Sequence, residues 1–196
     1  MSDRKAAIKR TTGETDIDVK LNLDGTGEAK IDTGIGFFDH MLFELAKHSF
    51  TDMEVTVKGD LEVDDHHSVE DAGIAIGQAL LAAIGDKKGI RRYGSAVIPM
   101  DECLALVAID LCGRPYFSFD VTFPTEMVGS MHTEMVKEFF YAVSYSCPMN
   151  LHIRLLSGEN SHHICEVIFK AFAKALDAAT QIDPRITGVL STKGKL

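Results

Sequence analysis

The chain has 196 residues, 45% hydrophobic and 25% charged, enough apolar content for the full core of an ordinary soluble protein. A formal net charge of −9 argues against sequence-nonspecific nucleic-acid binding, which needs a basic face, and leaves any anionic substrate in need of a locally basic pocket. No long apolar run suits a membrane span, no charged-then-apolar leader occupies Met1 to Lys5, and the four scattered cysteines read as reduced thiols; the expected location is cytoplasmic.

In chain order, Ile17, Val19, Leu21 and Leu23 alternate with Asp18, Lys20 and Asn22, which predicts a half-buried strand within the alternating stretch Ala6 to Leu23. That stretch is long enough to hold two strands. A short strand over Glu28 to Asp32 leads to Gly34 and Gly36, and Phe37, Met41, Leu42 and Leu45 then recur at helical spacing up to His48. Met53 to Lys58 alternates again as a strand. After an acidic loop, Asp65-His66-His67-Ser68-Val69-Glu70 opens a long helix that stops at Gly85. His66 and His67 lie four and three residues before Glu70, so one helical face can carry donors from all of them. A basic connector, Asp86 to Tyr93, marks the seam between halves.

The second half replays this order: alternation over Ala96 to Leu111, a strand over Tyr116 to Val121, a helix over Thr133 to Ser146, and a strand over Leu151 to Leu155. Ser161-His162-His163-Ile164-Cys165-Glu166 then opens a helix that ends near Asp183-Pro184. The copies keep a constant offset, since 162 − 66, 163 − 67 and 166 − 70 all give 96. Earlier the offset is 88, which aligns Val19 with Val107 and Glu14 with Glu102, so an insertion belongs between Phe123 and His132. The expected architecture is an α/β (α+β) tandem duplication, with halves at 1–92 and 93–184 and a polar tail at 185–196. That tail, with Ser191-Thr192-Lys193-Gly194, reads either as disorder or as a phosphate wrap.

A single His-His-x-x-Glu is usually a solvated helix end; its repetition points to metal binding. Imidazoles and carboxylates without thiolate suit manganese, iron, zinc or nickel. Each copy is one ligand short. His40 lies 26 residues before His66 (66 − 40), and Glu138 lies 24 before His162 (162 − 138), with His132 as a rival donor in the loop ahead. A bound cation acts as a Lewis acid, and Glu14, in a polar loop end, is the candidate acid–base group. A dinuclear phosphoester hydrolase and a structural metal clip between subunits are the competing readings.

The stretches Arg10-Thr11-Thr12-x-Glu14-Thr15, Thr33-Gly34-Ile35-Gly36-Phe37-Phe38-Asp39-His40, Asp64 to Asp71, Met100-Asp101-Glu102, Asp110-Leu111-x-Gly113-Arg114, Asn160 to His163 and Ser191 to Gly194 together resemble the imidazoleglycerol-phosphate dehydratase family. The resemblance implies dehydration of D-erythro-imidazole glycerol phosphate to imidazole acetol phosphate in L-histidine biosynthesis. It implies halves that are each a four-stranded mixed sheet with two helices on one face, the helices packed between the sheets. Two manganese ions are implied, one held by His40, His67, Glu70 and His163, the other by His66, His162, Glu166 and a helix position, histidine in some members, that is Glu138 here. Glu14 is implied in acid–base chemistry, Arg92, Arg114, Ser191 and Lys193 in phosphate binding, and His48 in contact with substrate. A homo-oligomer of 24 subunits with shared sites is also implied.

Overall fold

Both long alternating stretches break into two strands at a tight turn. In the computed structural model, which describes residues 4–195, β1 (Lys5–Thr11) and β2 (Thr15–Asn22) pair antiparallel from Lys5↔Asn22 to Thr11↔Asp16. Met1 to Asp3, where the first expected half begins, and Leu196, which closes the tail, lie outside the described residues. The turn forms because Thr12 Oγ1 accepts the backbone N–H groups of Glu14 and Thr15, at 3.1 and 3.0 Å. The periodic signal runs through this break because β1 is an edge strand whose Ala6 and Ile8 are only half-buried.

β3 (Ala29–Asp32), α1 (Gly36–Ser49), β4 (Asp52–Gly59) and α2 (His66–Ile84) complete the first half, with sheet order β1-β2-β4-β3 and β3 parallel to β4. β5 (Tyr93–Met100), β6 (Cys103–Asp110) and β7 (Tyr116–Asp120) follow. A hairpin of β8 (Met127–Val128) and β9 (Met131–His132) precedes α3 (Glu134–Ser146), β10 (Asn150–Ser157) and α4 (Ser161–Thr180). The second sheet has order β5-β6-β10-β7 with β7 parallel to β10, the same topology as the first. Only the β8–β9 hairpin has no first-half counterpart among the described residues, and it occupies the expected insertion. None of the described helices is long and apolar enough to cross a membrane.

α2 lies on β1 and β2 and α4 on β5 and β6, while across the halves α1 packs on α4 and α2 on α3. The four helices therefore fill the space between two sheets. Ile17, Val19, Val55 and Val57 face them from one side, and Val107, Ile109, Leu151 and Ile153 from the other, all buried. Phe139 stacks on Phe169 at 5.3 Å between ring centroids, and Phe140 meets Phe172 at 4.9 Å. α2 approaches α3 this closely because Gly73 and Gly77 carry no side chain. A Cβ at Gly73 would sit 2.8 Å from the Phe139 carbonyl oxygen, and one at Gly77 2.9 Å from that of Val143.

The tightest such approach is at β5, where a Cβ on Gly94 would lie 1.9 Å from the Ala175 carbonyl oxygen. Gly94→Ala should therefore lower the unfolding free energy by about 1–3 kcal/mol or more, measured by guanidinium denaturation. Gly36→Ala, where nothing lies within 4 Å, should change it by less than about 0.5 kcal/mol.

Candidate metal and phosphate site

The two His-His-x-x-Glu motifs form the first turns of α2 and α4, where backbone N–H groups lack intrahelical partners. Asn160 Oδ1 accepts from the backbone N–H of His162 at 2.9 Å and of His163 at 3.4 Å, and Asp64 Oδ1 accepts from that of His66 at 2.8 Å. The backbone is satisfied locally and the imidazoles remain free for other work. Consecutive rings are nearly perpendicular, at 83° for His66 and His67 and 83° for His162 and His163. Each motif thus presents its two imidazoles in different directions.

Packing of α1 on α4 brings His40 to the second motif. Glu166 Oε2 lies 3.2 Å from His162 Nε2 and 3.4 Å from His40 Nε2, and the Phe37 ring meets His162 edge-on at 5.0 Å. Within one chain, His40 thus groups with His162 and Glu166, whereas the family resemblance assigns it to an ion shared with His67, Glu70 and His163. Burial pushes the Glu166 carboxyl up, yet the Lys170 ammonium and His40 together hold it below the ordinary value. Lys170 Nζ is 2.5 Å from Glu166 Oε1 and 3.5 Å from Glu44 Oε2, and Glu44 Oε2 is 3.0 Å from His48 Nε2. His48 is therefore joined to Glu166 through Glu44 and Lys170. The sequence reading missed Lys170; its signal was the four-residue spacing from Glu166 on one helix face. In the first motif His66 Nε2 lies 3.7 Å from Glu70 Oε2, and Glu138 is half-buried on α3, the helix that packs on α2.

His67 and His163 share a different arrangement. His67 Nδ1 is 3.0 Å from Asp60 Oδ2 and His163 Nδ1 is 2.9 Å from Glu102 Oε2, which turns each Nε2 away from that carboxylate, the His163 Nε2 to 3.9 Å from Asp101 Oδ2. Asp60 was not singled out by sequence, and Glu102 was marked as the repeat partner of Glu14 and as part of a family-like stretch, without a role of its own. Glu14 Oε1 lies 3.7 Å from His67 Nε2, so the repeat-related carboxylates each meet the repeat-related histidine. The Glu14 turn is fastened to α2 because Thr15 Oγ1 donates to Asp71 Oδ2 at 2.5 Å and Arg10 pairs with the same oxygen at 2.5 Å. His132, the rival fourth ligand, binds Asp65 through its ring at 2.7 Å and its backbone N–H at 2.6 Å.

The donor chemistry fits a borderline divalent cation. His40, His162 and Glu166 offer nitrogen and oxygen atoms within 4.8 Å of one another, and Glu102 and His163 do so beside the sulfur of Cys103. Burial pushes the Cys103 thiol up to about 11 and the Cys165 thiol up to about 12, so both stay protonated and apolar in character.

Arg92, Arg114, Ser191 and Lys193 line one cleft of about 790 Å³, together with Arg185 and Lys195. The tail, left open by sequence between disorder and a wrap, folds back on the connector. Gly89 N–H donates to the Gly188 carbonyl at 2.9 Å and Arg92 Nη1 to that of Leu190 at 2.8 Å. Arg92 also forks onto Asp110, at 2.6 and 3.0 Å. Its backbone N–H donates to the Ala179 carbonyl, one residue from the end of α4, whereas His162 stands at the start of that helix. At about 1.5 Å per residue, the cleft lies on the order of 25 Å from the second motif in the same chain.

The sequence profile of the imidazoleglycerol-phosphate dehydratase family matches residues 33–176, from Thr33 ahead of α1 to Leu176 in α4. The chain belongs to the imidazoleglycerol-phosphate dehydratase family. It is 62% identical over 192 residues to the imidazoleglycerol-phosphate dehydratase of Lachnoclostridium phytofermentans, covering 98% of both chains. Among solved structures it superposes on the enzyme from Staphylococcus aureus with a TM-score of 0.82 at 42% identity, covering 91% of this chain and 99% of that one. For the enzyme from Pyrococcus furiosus the TM-score is 0.84 at 37% identity, covering 96% and 100%. Members of this family are enzymes, and the two-sheet duplication is their shared architecture.

The hydrogen bonds that His67 and His163 donate to Asp60 and Glu102 raise the pKa of both imidazoles above the free value of about 6.5, and the His163 bond draws Glu102 down to about 2. A raised histidine pKa means the pair stabilises the fold fully below the unfolded value and loses that contribution as pH rises through the folded one. In metal-free protein, Glu102→Gln should therefore lower the His163 midpoint in an NMR titration and leave His67 where it was. An unchanged His163 midpoint would refute the assigned pairing.

Proposed function

We propose that the chain catalyses the metal-dependent dehydration of D-erythro-imidazole glycerol phosphate to imidazole acetol phosphate in L-histidine biosynthesis. The observation that carries this is the coexistence, in a chain of this family, of a duplicated imidazole–carboxylate donor set and a cationic cleft on an otherwise acidic protein. His40, His66, His67, Glu70, Glu138, His162, His163 and Glu166 would hold two manganese ions. When bound, these ions supply Lewis acidity that polarises the substrate imidazole.

The remaining work falls to the side chains. Asp60 and Glu102 hold the Nδ1 edges of His67 and His163 and so orient the Nε2 lone pairs. Glu14, beside His67 on an exposed turn, exchanges protons with the substrate as the hydroxyl departs and the carbon proton is lost. Arg92 and Arg114 receive the phosphate with their guanidinium forks, aided by Ser191 and Lys193. His48 reaches the substrate from the Glu44–Lys170 relay.

The working site belongs to a homo-oligomer, of 24 subunits by family resemblance, in which neighbouring chains share each site. Three carbons separate the imidazole from the phosphate, a span under about 10 Å at about 1.5 Å per bond. The second motif and the cationic cleft of one chain stand on the order of 25 Å apart along α4, so a single small substrate bridges them only if two chains contribute. A cytoplasmic setting belongs to the same reading, supported by the free thiols of Cys103, Cys112, Cys147 and Cys165.

Purified protein supplied with manganese and imidazole glycerol phosphate should form a ketone that retains its phosphate, and chelation should abolish turnover. Release of inorganic phosphate, or full activity after metal stripping, would overturn the proposal. Glu166→Gln and Arg114→Ala should each be inactive, and dissociating and reassembling the two together should restore turnover. No recovery on mixing would place each site within one chain.

A further inference from the structure

The segment Thr125 to Thr133, which carries the β8–β9 hairpin and among the described residues has a place in one half alone, touches the residue just ahead of each His-His pair. Asp65 immediately precedes His66, Ser161 immediately precedes His162, and 161 − 65 is again 96. At one end Thr125 Oγ1 donates to Ser161 Oγ at 2.7 Å and the Thr125 N–H donates to the same oxygen at 3.1 Å. At the other end the His132 N–H donates to Asp65 Oδ2 at 2.6 Å and the His132 ring lies 2.7 Å from Oδ1. Aspartate is a favoured helix N-cap, yet Asp65, at the N-cap of α2, makes no side-chain capping bond; its carboxylate goes to the hairpin instead.

The hairpin is itself braced. Thr133 Oγ1 donates to the Thr125 carbonyl and the Thr133 N–H to that of Glu126, both at 2.9 Å, and Met131 is buried. We propose that the segment Thr125 to Thr133 is a clamp that fixes the spacing of the two His-His-x-x-Glu motifs, with Thr125 and His132 as positioning residues. The proposal rests on the reading that these motifs hold metal. First turns of helices fray readily, and a metal site tolerates ligand displacements of only about 0.5 Å. α2 and α4 belong to different halves, so duplication alone copies each motif without setting the distance between them. A single strap joining equivalent points does set it, which is why an insertion in one half suffices.

Thr125→Val and His132→Phe, made singly and together in the full chain, test the clamp. In metal-free protein each single variant should speed amide hydrogen exchange in both first turns, at 66–69 and at 162–165. With manganese, each should weaken binding about 10–100-fold, the double variant should be little worse than the weaker single, and Thr125→Ser should restore wild-type behaviour. If His132→Phe fails to fold, Asp65→Asn keeps one acceptor oxygen and releases the charge-assisted bond. Exchange that rises only at the turn each variant touches, or effects that simply add, would overturn the clamp. Because exchange is read without metal, a chain that never binds manganese would defeat the functional reading alone.

Discussion

Cross-half packing of the helices is the constraint on which the site depends. His40 and Glu166 are 126 residues apart, and they meet only because α1 lies on α4 and not on its own half's partner. The complementary contact, α2 on α3, is set by Gly73 and Gly77, whose missing side chains admit the Phe139 and Val143 carbonyls at close range. A shift of either crossing by one helical turn would move a donor side chain by about 5.4 Å and dissolve the grouping. The aromatic layer of Phe139, Phe140, Phe169 and Phe172 resists such a shift, because close-packed rings have few alternative seats.

Charge is distributed to suit two opposed demands. A carboxylate buried like Glu166 is costly unless compensated, and Lys170 provides that compensation four residues along the same helix. The first half has Ile74 where the second has Lys170, since 170 − 96 is 74, so the two motifs carry unequal charge despite equal ligand spacing. The same divergence appears at Glu138 against His40 and at Phe169 against Gly73. The two halves share a frame and differ in side chains at equivalent positions within it. Elsewhere five cations of the acidic chain, Arg92, Arg114, Arg185, Lys193 and Lys195, surround one cleft near the end of α4. The long helices thus act as spacers that keep a histidine-rich end and a cationic end apart within one chain.

The carboxylates around the histidines show how little of such a site lies in its ligands alone. Asp60, Glu102 and Asp65 each hold one imidazole Nδ1, and Asp71 fastens the turn that carries Glu14. These contacts fix ring direction, and direction decides which lone pair faces outward.

The sequence by itself determined the duplication, the helical placement of both His-His-x-x-Glu motifs, the site of the insertion and the family. All of these rest on periodicity and offsets, which are local or strictly repeated along the chain. The break between β1 and β2 was visible only as room for a further strand, because alternation continues through a turn whose geometry depends on the Thr12 hydroxyl. Tertiary structure alone decided that His40 faces Glu166, that Lys170 and Asp60 belong to the site, that His132 is committed to Asp65, and that the tail lies ordered beside Arg92. The physical reason is that these contacts depend on which faces of distant elements pack together. Side-chain periodicity reports that an element has a buried face and is silent about what buries it.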